Sequence, residues 1–164
     1  CTLIKHLYAA RRNVAVLRGG NQGFGTRERI DVWWSGLKGN GGLMKILAYL
    51  LQTNLEWQNA QVRVNVVAAD DEEAEERRQT VAPILDQLRT GAALNVIEAD
   101  GRIFDEIVHD TSAEADIVFL GMATPDEEDD YVTYYTRLHE RTAGLPPTVF
   151  VLAAEEISFR DVLA

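Results

Sequence analysis

Five short runs rich in β-branched and aromatic residues stand near positions 30–35, 62–68, 94–98, 116–121 and 148–153. Between them lie segments whose apolar residues recur at helical spacing, joined to the runs by only a few residues. Consecutive parallel strands need crossovers of this kind, and right-handed crossovers put helices on both faces of one sheet. The pattern restricts the chain to an α/β fold: a mainly parallel five-stranded sheet with helices on both faces. A sixth run at 13–17 adds an edge strand. It could also form an antiparallel hairpin with the 30–35 run, looping through the glycine-rich residues 18–27.

Two strands carry the mark of burial on both faces. The second half of "VRVNVVAA" is almost wholly apolar, as a strand covered on each side should be. Trp33 and Trp34 are adjacent, so in a strand they point to opposite faces, and both enter a core only if helices cover the two faces.

The helices are signposted with different clarity. After the first core strand, Leu43, Ile46, Leu47, Leu50 and Leu51 repeat on one face, with Asn40, Gly41 and Gly42 supplying the cap and entry. The acidic run at 70–73 opens a helix whose face is Val81, Ile84, Leu85 and Leu88, with Pro83 expected to kink or restart it near Thr80. Asp100 is placed to cap the next, whose face is Ile103, Phe104, Ile107 and Val108. Thr124 as cap, Pro125 at the first position and Glu127 closing a capping box predict the last helix, with Tyr131, Tyr134, Tyr135 and Leu138 inward and Gly144 beyond its end.

At 164 residues and 46% apolar composition the chain can build one sizeable core. A formal charge of −10 repels nucleic acid and anionic lipid, and no basic patch offsets it. The single cysteine, Cys1, excludes an internal disulfide and suits a reducing compartment. Apolar windows fall short of the roughly 18–20 residues that cross a bilayer. The opening on Cys1 rather than Met, inside a run with helical spacing at Leu3, Ile4, Leu7 and Tyr8, suggests a piece of something longer. Residues 1–12 read as the end of a preceding helix or a linker, and 13–164 as a single α/β domain.

The stretch "TRERIDVWWSGLKGNGGLMKILAYLL", followed by Trp57 and by "VRV" at 62–64, resembles the cytoplasmic C-terminal domain of the cation-chloride cotransporters. Within it the motif positions are Ile30, Asp31, Val32, Trp33 and Trp34, then Gly41, Gly42 and Leu43. "SAEADIVFLGM" is similar to that family's Ser-x-x-Ala-Asp motif at Ser112, Ala115 and Asp116, and "LPPTVFVLAAEEISFRDVLA" resembles the C-terminal end of prokaryotic members. Related amino-acid and polyamine permeases share the likeness.

The resemblance implies a fold similar to universal stress proteins, beneath a transmembrane transporter and on the cytoplasmic side of the cell membrane. It also implies a regulatory and assembly role without catalysis, contact with the transmembrane domain of the same protein, and homodimerisation. The expected partners include no nucleic acid, and no cofactor is expected. None of the ion-coordinating residues of a transporter lies in this chain.

The loop "GGNQGFG" has no Gly-Lys-Ser/Thr ending, so it supplies neither the lysine nor the hydroxyl of a phosphate loop. Gly39, Asn40, Gly41 and Gly42 are better placed, following a strand and opening a helix where backbone N–H groups can hold an anion. The same glycines also suit close packing against Trp33 or Trp34, the favoured reading. The acids at 70–71, Asp100 and 126–130 edge the ligand side of such a sheet and read as helix caps. His6, His109 and His139 lack metal spacing, and His109, Asp110 and Ser112 form a catalytic trio only loosely. A nucleotide- or small-ligand-sensing module of the universal-stress kind is the alternative to the transporter domain.

Overall fold

The computed structural model describes residues 2–20, 23–35, 39–87, 91–125 and 130–155. In chain order these form α1 (Thr2–Ala9), β1 (Val14–Arg18), β2 (Arg29–Trp33), α2 (Asn40–Gln52), β3 (Gln61–Ala68) and α3 (Asp71–Gln87). They continue through β4 (Ala93–Glu98), α4 (Phe104–Ser112), β5 (Ile117–Gly121), α5 (Tyr131–Arg141) and β6 (Thr148–Leu152). The fold is α/β, with one six-stranded mixed sheet in the order β1-β6-β5-β2-β3-β4. β6, β5, β2, β3 and β4 pair in parallel, and β1 runs antiparallel to β6 at the edge.

Alternation along each strand builds two cores. Ile30, Val32, Val62, Val64, Ile117, Phe119 and Val151 face one side, where α2 contributes Met44 and Ala48 and α3 contributes Val81 and Leu85. Trp33, Val118, Leu120, Phe150 and Leu152 face the other, where Ile4 of α1, Ile107 and Val108 of α4 and Tyr131 of α5 cover them. Trp33 is 2% exposed. Trp34 takes the opposite side, as adjacent residues must, but is only half-buried, with the Lys45 Nζ 4.6 Å from its ring centroid.

Several local expectations are corrected. The 13–17 run does not pair with its neighbour in sequence, because Val14 to Arg18 lie in register with Leu152 to Thr148 of β6 and two strands separate β1 from β2. Pro83 does not restart α3, which is one helix from Asp71 to Gln87. Pro83 is exposed, so the one backbone bond it removes falls where water can replace it. The last helix starts not at Thr124 and Pro125 but after Asp130, whose carboxylate accepts the Thr133 N–H. Glu127 and Leu88 lie outside the described residues. Asp100 caps nothing: it sits at φ 48° in the turn after β4, and the residue before α4 is Ile103. On α2 the buried set is Leu43, Met44, Ile46 and Ala48, while Leu50 is 52% exposed.

The chain leaves β2 through α2 on one face of the sheet and leaves β5 through α5 on the other. β2 and β5 are neighbours, so their carboxyl ends form the topological switch point at which α/β folds hold ligands. Gly39, Asn40, Gly41 and Gly42 open α2 directly above that point.

Candidate functional site

At the switch point Asn40 occupies the place a ligand would take. It is 4% exposed at the first position of α2, and its amide bridges the ends of two strands. The Nδ2 donates to the Met122 carbonyl at 2.7 Å, and the Oδ1 accepts the Ala153 N–H at 2.7 Å. Asn40 therefore does not cap its own helix: the N-cap position is Gly39, without a side-chain bond. Gly41 is equally committed, since a Cβ there would stand 2.9 Å from the Trp34 Nε1. The four residues that a phosphate would use are thus brought together, with the central pair packed against strand ends and an indole. Gly42 is half-buried, and Leu43 packs into the core beside α3.

Asp31, Trp33 and Ser112 converge on the opposite face of the sheet, while Ile30 and Val32 lie on the α2 side. The parallel register sets Asp31 of β2 beside Arg63 of β3, and Trp33 beside Asn65. Asp31 is fully buried. Its carboxylate accepts from Arg63 Nε and Nη2 at 2.9 Å each, from Arg29 Nε at 3.2 Å and Nη2 at 3.3 Å, and from the Ser112 hydroxyl at 2.7 Å. Burial pushes the Asp31 carboxyl above its ordinary range, opposed by the Ser112 hydrogen bond and the Arg29 charge. Both guanidiniums also donate to the Thr111 carbonyl, at the end of α4 where cations are favoured. The Trp33 indole N–H donates to Ser112 Oγ at 3.0 Å.

Two motifs some eighty residues apart in sequence therefore meet in one buried network. Ser112 has its hydroxyl proton on Asp31, accepts the proton of Trp33, and has no exposure to solvent. It is no nucleophile poised for attack. His109 is not its base, because the His109 Nε2–H donates to the Arg141 carbonyl at 2.9 Å. Asp110 lies 3.8 Å from Arg102, so the loose trio of His109, Asp110 and Ser112 does not assemble.

Ala115 is buried beneath the start of β5, and Asp116 ties down the entry to β2. Its carboxylate accepts the backbone N–H groups of Thr26 at 2.9 Å, Glu28 at 2.7 Å and Arg29 at 2.9 Å. Gly25, at φ 49°, lies so close to Asp116 that any Cβ would collide with the carboxylate. This explains part of the glycine-rich loop as a bed for Asp116.

The acids at the strand ends divide. Asp70 accepts the Glu73 N–H, and Glu73 accepts the Ala69 N–H, a reciprocal arrangement that opens α3. Glu98 is raised from its ordinary range, first by a hydrogen bond with Asp71 and then by that carboxylate's charge. Among the described residues no group of three or more His, Cys, Asp and Glu is placed to hold a metal ion, and no helix is long and apolar enough to cross a membrane.

Sequence reading missed Arg29 and Arg63 as partners of Asp31. The available signal was a charged residue at alternate positions of otherwise apolar strands, which demands a partner across the register. Residues 21–100 match the model of solute carrier family 12, a stretch running from the glycine-rich loop through β2, α2, β3 and α3 to the end of β4. The Ser112, Ala115 and Asp116 motif lies beyond the matched residues, yet it closes on Asp31 and Arg29 within them. Over these residues, just under half of its length, the chain is similar to solute carrier family 12, the cation-chloride cotransporters.

Proposed function

We propose that this is a non-catalytic regulatory and assembly domain of a cation-chloride cotransporter, on the cytoplasmic side of the membrane, acting on the transmembrane part of the same protein. The observation that carries the reading is the family match over residues 21–100. The geometry supports it: the motif residues are spent on internal bonds, in Asp31 with its two arginines, Ser112 with Trp33, and Asn40 across two strand ends. Residues used this way make a rigid body rather than a reaction centre. We read 13–164 as one unit of the universal-stress type, with homodimerisation as the route by which two copies are brought together. Transport itself, as ion symport, belongs to the membrane-embedded part.

A rigid domain biases a transporter only through contacts that differ between the transporter's states. In reconstituted vesicles, deleting the domain from the full-length protein should change flux or assembly while ion selectivity stays that of the membrane part. Assembly and transport at the full rate under every condition tried would overturn the proposal. Nucleotide sensing has weaker support, because the Asn40 clamp and the Trp34 indole fill the helix N-terminus that would bind a phosphate.

A further inference from the structure

The switch point has two sides, and only one is filled. On the α2 side Asn40 and Trp34 close it. On the other side, between α4 and α5, a pocket of about 150 Å³ opens beside the carboxyl ends of β2 and β5. Its walls are Trp33, Phe104, Val108, Leu120, Tyr134 and Leu138. Trp33 and Phe104 meet edge to face, with ring centroids 5.5 Å apart. The polar end of the Trp33 indole is already engaged by Ser112, which leaves ring carbon for the pocket.

The charges at the rim are spent on one another. Arg141 donates Nε and Nη2 to the Asp105 carboxylate at 2.5 and 2.6 Å, so this pair offers a ligand anion little. His109 also lines the pocket. Its Nε2 is hydrogen-bonded to the Arg141 carbonyl.

Size and chemistry then define the occupant. Drug-sized ligands occupy roughly 300–1,000 Å³, whereas an apolar cavity of about 150 Å³ is large enough for benzene. A nucleotide is too large and too charged. Aromatic walls favour a flat ring meeting their edges and faces, and so apolar a lining leaves little to satisfy more than one polar group on it. We propose that this pocket binds a small uncharged aromatic molecule, from benzene to indole in size and with at most one hydrogen-bond donor. Bound there, it ties α4 and α5 to the sheet. The inference stands apart from the assembly role, and failure of either leaves the other in place.

The test titrates the 164-residue chain with indole, and separately with AMP, by calorimetry and by thermal melts. Indole should bind saturably at one site with Kd below about 1 mM, within the reach of so small a ligand, and raise the melting temperature. Leu138→Trp, which fills the pocket from α5, should weaken indole binding at least tenfold while melting cooperatively. Nuclear Overhauser contacts from indole to the methyl groups of Leu120 and Leu138 in the unaltered chain test the location without a variant. The proposal is overturned by the absence of saturable indole binding, by contacts that fall elsewhere, or by AMP competing for the site.

Discussion

Asn40 holds the ends of β5 and β6 to the start of α2 through one amide, using its donor on Met122 and its acceptor on Ala153. Asn40→Ala leaves a buried carbonyl and a buried N–H without a partner, at about 1–3 kcal/mol each, so a loss of roughly 2–6 kcal/mol is expected. Urea melts should show this as a lower midpoint at an unchanged slope. A loss within about 0.5 kcal/mol, the usual range for surface changes, would mean that water replaces both bonds and that the clamp is dispensable. The sequence reading placed Asn40 at the mouth of α2 but gave it a capping role, because a polar residue at a helix start looks the same whether its bonds are local or distant. Its actual partners are 82 and 113 residues away. Asp31 was picked out by motif, yet its arginines were not, since Arg63 becomes its neighbour only once the β2–β3 register is known.

Elements with a strong local pattern lie close to where the spacing puts them, as with β3 over Gln61–Ala68 and β4 over Ala93–Glu98. Helix α5 shows what local pattern cannot decide. Thr124, Pro125 and Glu127 have the residue types of a helix start, but Asp130 also has a competent side chain, and it caps the helix that forms. Tyr131, the first residue of α5, is buried, and its hydroxyl donates to the Ala123 carbonyl at 3.2 Å. Burial, and then the neighbouring Tyr134, raise its pKa above the ordinary 10.0. A folded pKa above the unfolded one means that the contribution to stability is complete below pH 10.0 and is lost as pH rises from there towards the folded value. The melting temperature should fall in that alkaline range, and Tyr131→Phe should reduce the fall while costing about 0.5–1.5 kcal/mol at neutral pH for the lost hydrogen bond. An identical alkaline profile in the variant would assign the transition to other groups.

At the scale of the molecule, strict alternation of strand and helix was enough to give the α/β class, because parallel strands admit few connections. It did not give the position of β1, since an edge strand satisfies the same local pattern beside either neighbour and the choice rests on contacts with β6 at the far end of the chain. Among the described residues both edges of the sheet, β1 and β4, leave backbone groups on one side without a strand partner, and β4 is half-buried along its whole length. A second copy could use such surfaces, but each copy carries a formal charge of −10, and two like-charged bodies repel over about 10 Å at 0.1 M salt. Self-association of the isolated domain is therefore expected to be weak at low ionic strength and to strengthen as salt screens the repulsion. Under the proposed function, attachment to a shared membrane assembly would raise the effective concentration of two copies and offset that repulsion. Sedimentation equilibrium over a concentration series, run at about 50 mM and 300 mM salt where the screening length shortens more than twofold, checks the expectation. A dimer fraction that rises with salt supports pairing opposed by net charge. A strict monomer at millimolar concentration in both buffers would place dimerisation outside this domain, and a dimer that dissolves with added salt would mean that specific ion pairs, rather than screened apolar contact, hold the copies together.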